Sequence, residues 1–369
     1  MKIISVVGAR PNFMKVAPLH RAFQDREAIT ESLVVHTGQH YDEQMSDIFF
    51  EQLELPHPDR YLGVGSASHA QQTARVMASF EEVVEEEEPD LVLVVGDVNS
   101  TLACSLVATK MHIPVAHVEA GLRSGDRDMP EEINRLLTDT IAELLFVTEQ
   151  DGIDNLKAEG VSDDRIFFVG NVMIDSLVFF QEKAAQTGVV EELNLTPSRY
   201  AVMTMHRPSN VDNREGLTRL LETIERIAGL VPLVFPMHPR TRNRFDEFGL
   251  ADRLEAVEDL VLLEPLGYLE FLRLMEESGV VVTDSGGIQE ETTFLQVPCL
   301  TLRDSTERPI TIKQGTNELM DLDPEQVEKR VQNILSGDRP KGQIPKKWDG
   351  KVAERIAKHI ENTLAVASA

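Results

Sequence analysis

LVLVVGDVNSTLACSLVATKMHIPVAHVE, residues 91–119, holds the pattern that decides the fold. Leu91 to Val95 is an apolar run too short for a helix, and it stops at Gly96. A segment of helical period follows, Thr101 to Met111, and then a second short apolar run, Val115 to Val118. Strand, helix and strand at this spacing form a βαβ unit, whose strands lie parallel. The same alternation extends outward through strands at Lys2 to Val7, Leu33 to Thr37 and Leu144 to Thr148, with helices at Met14 to Gln24 and Ser68 to Glu87. It resumes with strands at Tyr200 to Thr204, Leu233 to Phe235, Leu260 to Leu263, Val280 to Thr283 and Cys299 to Leu302. Helices at Arg214 to Ala228, Leu269 to Glu276 and Ile288 to Phe294 separate them. The pattern predicts an α/β chain of two Rossmann-like, doubly wound domains, residues 1–170 and 171–350, with a hinge at Gly170–Asn171. Residues 351–369 carry a last amphipathic helix, Ala353 to Leu364, expected to pack back on the first domain.

Composition narrows the function. The chain has 369 residues, 42% hydrophobic and 27% charged, which suits ordered globular domains. Its net charge of −26 sets a repulsive field against nucleic acid, so no nucleic-acid partner is expected. The acidic balance, with Arg outnumbering Lys, also suits a saline cytoplasm. Two cysteines, Cys104 and Cys299, sit in apolar segments and are too few for a disulfide framework or a structural zinc site. The opening run Met1 to Ala9 reads as a buried strand, and no stretch approaches the roughly 18 apolar residues of a membrane span. A cytoplasmic protein with no membrane partner is expected. Glu81 to Glu88 reads as the solvated face of a helix whose apolar side is Val83 and Val84.

Ligands of open α/β sheets bind beyond the carboxyl ends of the strands, and here those tips are polar. Gly8 opens a helix that carries Arg10 and Lys15, two cations suited to an anion, without the spacing of a dinucleotide fingerprint. Ser285, Gly286 and Gly287 place backbone N–H groups at a helix N-terminus, an arrangement that grips phosphate, and Glu291 a turn later suits ribose hydroxyls. Asp97, Glu119 and Glu131, with Glu132 beside it, bring acids to separate tips. Such acids in one crevice are expected to repel, so that some pKa rises toward neutrality. His206 and Arg207 follow a strand of the second half and are expected to contact ligand.

Taken together, Gly8-x-Arg10-Pro11 with Lys15, Gly96-Asp97, His117 to Ser124, Pro130 to Arg135, His206-Arg207, Thr283 to Glu291 and Arg303 to Pro309 resemble the non-hydrolysing UDP-N-acetylglucosamine 2-epimerases. The resemblance runs from residue 2 to about 335 and implies a GT-B-like fold, two domains facing across a cleft that holds a UDP-sugar. It implies interconversion of UDP-N-acetylglucosamine and UDP-N-acetylmannosamine, or of a related UDP-HexNAc, through elimination of UDP to a 2-acetamidoglucal and re-addition. It also implies no metal and no redox cofactor, a homodimer, and a role in supplying N-acetylmannosamine-type sugars for surface polysaccharide. By motif, Asp97, Glu119, Glu131 and His206 match catalytic positions. Arg10, Lys15, Arg135, Arg207, His238, Phe271, Ser285, Gly286, Gly287, Glu291 and Arg308 match positions that bind the UDP-sugar. Gln39, Arg207 and His238 also resemble a second, activating UDP-N-acetylglucosamine site of bacterial members, with Gln71 where an Arg is expected. Asn12, Ile310, Pro208 and Ser209 depart from the bacterial pattern beside the site. A GT-B glycosyltransferase, a hydrolysing epimerase and a non-catalytic nucleotide-sugar sensor are the alternative functions.

Overall fold

The computed structural model describes residues 1–8, 10–38 and 57–367, with side chains at all of these except 10, 11 and 364–367. By its internal contacts the chain divides into two units, Met1–Ser176 with Lys346–Ala369, and Leu177–Pro345.

The first unit is built on a sheet of β1 (Lys2–Val7), β2 (Glu31–His36), β3 (Arg60–Tyr61), β4 (Leu91–Val95), β5 (Val115–Ala120), β6 (Leu144–Val147) and β7 (Ile166–Phe168). Its order is β3-β2-β1-β4-β5-β6-β7, with every pair parallel. Strands β1, β4 and β6 are almost wholly buried because helices cover both faces, which is why they appear in sequence as unbroken apolar runs. On one face Val76, Phe80, Val83 and Val84 of the helix His69–Glu87 join a core with Val6, Val35, Val92 and Val94. The opposite side of that helix exposes Glu81, Glu82, Glu85 and Glu86 to solvent, as the charge run predicts.

The second unit repeats the plan with β8 (Ala201–Thr204), β9 (Leu233–Pro236), β10 (Leu260–Leu263), β11 (Val280–Thr283), β12 (Cys299–Leu302) and β13 (Asn317–Met320). Its order is β10-β9-β8-β11-β12-β13, again all parallel. The helix Arg214–Ala228 presents Leu217, Leu220, Leu221, Ile224 and Ile227, all fully buried, to the core formed with β8, β9 and β11. In each sheet the order reverses once, between β1 and β4 and between β8 and β11.

By internal contacts the division lies within the helix Val172–Ala184, between Ser176 and Leu177, a few residues beyond Gly170–Asn171. The beginning of that helix is fastened to the first unit. Ser176 Oγ donates to the carbonyl of Met14, and the Asp175 carboxylate accepts from the N–H groups of Val352 (3.1 Å) and Ala353 (2.7 Å). Burial pushes the Asp175 carboxyl up to about 6. The last helix, Val352–Ala367, lies in the first unit, where Glu361 pairs with Arg26 at 3.2 Å, and Trp348 just ahead of it donates to the carbonyl of Thr148.

Candidate active site

Ligand crevices of open parallel sheets lie beyond the strand ends where the order reverses. In the first unit that point joins the tips of β1 and β4. Asn12 ties them together, its Oδ1 accepting from Gly8 N (3.2 Å) and its Nδ2 donating to the carbonyl of Val95 (3.0 Å). Lys15, one turn along the helix Arg10–Gln24, donates to Glu119 Oε2 at 2.5 Å, and both side chains are buried. Glu119 stands where the β5–β6 register slips between Val118 and Ala120, with φ +72. A left-handed bulge at a non-glycine residue turns its side chain off the regular alternation and persists only where the surroundings over-determine it. A Cβ added to Gly96, whose φ is +70, would lie 3.5 Å from Glu119 Oε2, 3.6 Å from Asn12 Nδ2 and 3.7 Å from Lys15 Nζ, so the β4 turn faces all three.

Asp97 follows that turn. Its Oδ2 accepts from Arg135 Nε (3.0 Å) and Nη2 (2.8 Å), while its carbonyl accepts from Asn134 Nδ2 (2.8 Å). Arg135 and Asn134 come from the helix Pro130–Ile141, and Arg135 Nη1 donates also to Glu132 Oε2 at 2.6 Å. Glu132 accepts further from the N–H groups of Ser124 and Gly125 and from the Ser124 hydroxyl. Burial raises its pKa, but these donors outweigh burial and hold the carboxyl below its ordinary range. Glu131, half-buried, occupies the first turn of the same helix. Cations stand against three of these acids: Glu119 faces Lys15, and Asp97 and Glu132 share Arg135. The side chain of Arg10 and the whole of Gln39 lie outside the described residues.

In the second unit the corresponding tips are those of β8 and β11, joined by Thr204 Oγ1 and Thr283 Oγ1 at 2.7 Å. Asp284, fully buried, accepts from the backbone N–H of His206 (3.0 Å) and Arg207 (2.9 Å), from Asn210 Nδ2 (3.2 Å) and from His206 Nδ1 (3.1 Å). Burial raises its pKa, but His206 and the backbone donors outweigh it and hold the carboxyl below its ordinary range. The bond to Nδ1 fixes the tautomer of His206 and directs Nε2 away from Asp284. The His238 ring lies 5.8 Å from that of His206, and its pKa is lowered by burial and by the neighbouring His206 and Arg240.

Ser285 caps the helix Gly286–Leu295. Its own N–H, expected to be open to ligand, donates instead to Thr283 Oγ1 (3.0 Å), and its hydroxyl makes no capping bond to the helix. Gly286 and Gly287 supply the following N–H groups, and open space surrounds the position of a Cβ on Gly287. Arg308 lies beside this terminus, Nε at 2.7 Å from Glu290 Oε1 and Nη1 at 3.0 Å from Glu307 Oε1. Glu307 also pairs with Arg303 at 3.0 Å. Burial works against its charge, yet Arg308 and Arg303 hold its carboxyl at about 2. Glu291 accepts from the Tyr268 hydroxyl at 3.0 Å. Its burial pushes its carboxyl up to about 7, Tyr268 opposing and Glu290 adding to the shift. Phe271, partly buried, stands one turn after Tyr268 on the helix Tyr268–Glu276.

Each switch point thus carries a distinct chemistry, with carboxylates paired to cations in the first unit and a glycine-led helix N-terminus beside a histidine held by Asp284 in the second. Asp284, Tyr268, Glu290 and Glu307 orient these groups, and none of them stands out by residue type alone.

A family model described as UDP-N-acetylglucosamine 2-epimerase matches residues 21–361. The UDP-N-acetylglucosamine 2-epimerase of Methanocaldococcus jannaschii is 42% identical over 367 residues, 97% of this chain and 98% of that protein. Its crystal structure in complex with UDP-GlcNAc and UDP superposes with a TM-score of 0.88 over 98% of this chain and all of that one. The UDP-2,3-diacetamido-2,3-dideoxy-D-glucuronate 2-epimerase of Pseudomonas aeruginosa is 40% identical over 98% of this chain and 99% of its own length. With the switch-point residues and these likenesses together, the chain belongs to the UDP-N-acetylglucosamine 2-epimerase family, a family of isomerases with two GT-B-like α/β domains.

Proposed function

We propose that this enzyme interconverts UDP-N-acetylglucosamine and UDP-N-acetylmannosamine by eliminating UDP and adding it back. In the first step one carboxylate of the set Asp97, Glu119 and Glu131 takes the proton from carbon 2. The C1–C2 double bond forms, the C1–O bond breaks, and its electron pair leaves with UDP, giving 2-acetamidoglucal. In the second step UDP re-adds at carbon 1 while a proton enters carbon 2 from the opposite face, so the product is an isomer of the substrate. Ser285, Gly286, Gly287, Arg308 and Arg207 hold the diphosphate, Glu291 the ribose and Phe271 the uracil, while His206 and His238 attend the leaving phosphate. Arg10 and Lys15 add positive charge, and Arg135 holds Asp97. The charges that develop are met by groups already fixed in place, which is where electrostatic stabilisation is largest.

The observation that carries this reading is Glu119, a buried carboxylate on a left-handed bulge, paired with Lys15 and beside the turn that leads to Asp97. The family supplies the reaction class, and the M. jannaschii structure with both UDP-GlcNAc and UDP supports the grip. The P. aeruginosa relative supports a second substrate, a 2,3-diacetamido uronate, on nearly equal identity. Initial rates with each of the two UDP-sugars at one enzyme concentration decide between them. A kcat/KM for UDP-N-acetylglucosamine below that for the uronate overturns the first assignment. In keeping with the family resemblance and the acidic composition, we place the enzyme as a homodimer in the cytoplasm, feeding surface polysaccharide synthesis.

A further inference from the structure

The turns that carry Asp97 and Glu119 are both tied to one buried pair, and we propose that His117 and Asp139 position these two acids together. This inference rests on the function proposed above. His117 is fully buried on β5, two residues before Glu119. Its two ring nitrogens both face oxygens: Nδ1 lies 2.6 Å from Asp139 Oδ1, and Nε2 lies 2.8 Å from the carbonyl oxygen of Gly96. A carbonyl oxygen only accepts, so Nε2 donates to it. Asp139 is a carboxylate as well. Burial raises its pKa, but His117 and Arg123 outweigh burial and hold it below the ordinary range. Nδ1 faces the Asp139 carboxyl at the same time, so both ring nitrogens are engaged and the ring bridges Asp139 and Gly96.

The two bonds reach the two site turns. Through Nε2 the ring holds the Gly96 carbonyl, one residue from Asp97, in a turn with φ +70. Through Asp139 it holds the turn after Glu119, because Asp139 Oδ2 accepts from the N–H of Gly121 (3.0 Å), whose φ is +81. Glu119 lies between these two anchors. Arg123 completes the assembly from outside, with Nη2 at 2.7 Å from Asp139 Oδ2 and two bonds to Glu159. Strand β5, the helix Pro130–Ile141 and the segments holding Arg123 and Glu159 thus each contribute a side chain to one network. Buried ion pairs add little to stability as such, whereas reacting groups must be held to within about an ångström of their working geometry. The geometry therefore assigns His117 and Asp139 as positioning residues that act through Gly96 and Gly121.

The test compares His117→Gln with His117→Asn. The longer amide keeps a donor near the Nε2 position and so keeps the Gly96 bond, whereas the shorter one keeps a donor only toward Asp139. We expect His117→Asn to lower kcat by about 100-fold with KM and UDP affinity within about threefold of wild type, and His117→Gln to recover about tenfold of the loss. A folded His117→Asn enzyme with kcat within about twofold of wild type overturns the proposal. Equal losses in both variants overturn it too, since the Gly96 bond then does not matter. Nitrogen-15 spectra of the histidine rings in wild-type enzyme give a readout free of turnover. A protonated, hydrogen-bonded Nε2 on His117 is expected, and a ring whose Nε2 carries no proton contradicts the proposal even where a variant fails to fold. Failure of the function proposed above would appear differently, as wild-type enzyme that epimerises no UDP-HexNAc.

Discussion

Replacing Asp284 by Asn removes the anchor of the β8 tip while leaving its volume unchanged. The carboxylate accepts four bonds, from His206 N, Arg207 N, Asn210 Nδ2 and His206 Nδ1, and water does not reach it. An amide in its place offers one acceptor oxygen, and its NH₂ group faces donors. Breaking a buried, hydrogen-bonded charge in this way costs about 3 kcal/mol, which for a unit of this size lowers Tm by roughly 6–12 °C. The effect on turnover is larger in proportion. With Nδ1 no longer held, His206 loses its fixed tautomer and orientation, and the loss expected for a misoriented acid–base group is about 10²–10⁴-fold in kcat. UDP binding should change less than turnover, because among the diphosphate groups only Arg207 is tied to the Asp284 carboxylate, through its backbone N–H, while the Gly286–Gly287 N–H groups and Arg308 are not. The assay is steady-state epimerisation with UDP affinity by calorimetry, at a temperature where far-ultraviolet dichroism shows the variant folded. A folded Asp284→Asn enzyme with wild-type kcat would refute the reasoning, and so would one that loses UDP binding and turnover in equal measure.

Arg308→Ala should raise KM for the UDP-sugar by about 10–100-fold with a smaller change in kcat, because a cation on the diphosphate serves ground and transition states alike. Asp97→Asn should do the reverse, lowering kcat by about 10²–10⁴-fold at nearly constant KM, and steady-state kinetics read both. Glu291→Gln tests the raised carboxyl. A folded-state pKa of about 7 against an unfolded value near 4.5 means that stability is full below pH 4.5 and is lost as pH rises to 7. The glutamine variant lacks that loss, so its stability should exceed wild type at pH 8 by on the order of 3 kcal/mol at most and match it at pH 4.5, as read from thermal unfolding at the two pH values. Gly170→Ala should destabilise the first unit, since φ is +97 and a Cβ there would lie 2.1 Å from the carbonyl oxygen of Lys347. Chemical denaturation should register a loss of about 2–4 kcal/mol.

Sequence alone carries much of this architecture because parallel strands buried on both faces are written as short apolar runs, as at Leu91–Val95 and Val280–Thr283. Strands β7 and β13 escape that reading. Ile166–Phe168 is a three-residue run on a sheet edge, and Asn317–Met320 has polar residues at its first two positions. The positions of the candidate residues at strand tips were legible, but their partners in the fold were not. Asp284 and His206 are 78 residues apart and meet only because β8 and β11 are neighbours at the reversal of strand order, which no local pattern records. Lys15 and Arg135 read as cations for a ligand, yet each is also the counter-ion of a site carboxylate. The bulge that places Glu119 at φ +72 has no signal in HVEAG beyond the glycine that follows it.

Proton exchange at carbon 2 tests the central claim most directly. UDP-N-acetylglucosamine incubated with the enzyme in deuterium oxide, without added metal or nicotinamide, should show by proton NMR both UDP-linked epimers at equilibrium with deuterium at carbon 2. Epimers that form with the carbon 2 proton retained, or a first product of free N-acetylmannosamine and UDP, would contradict elimination and re-addition at this site.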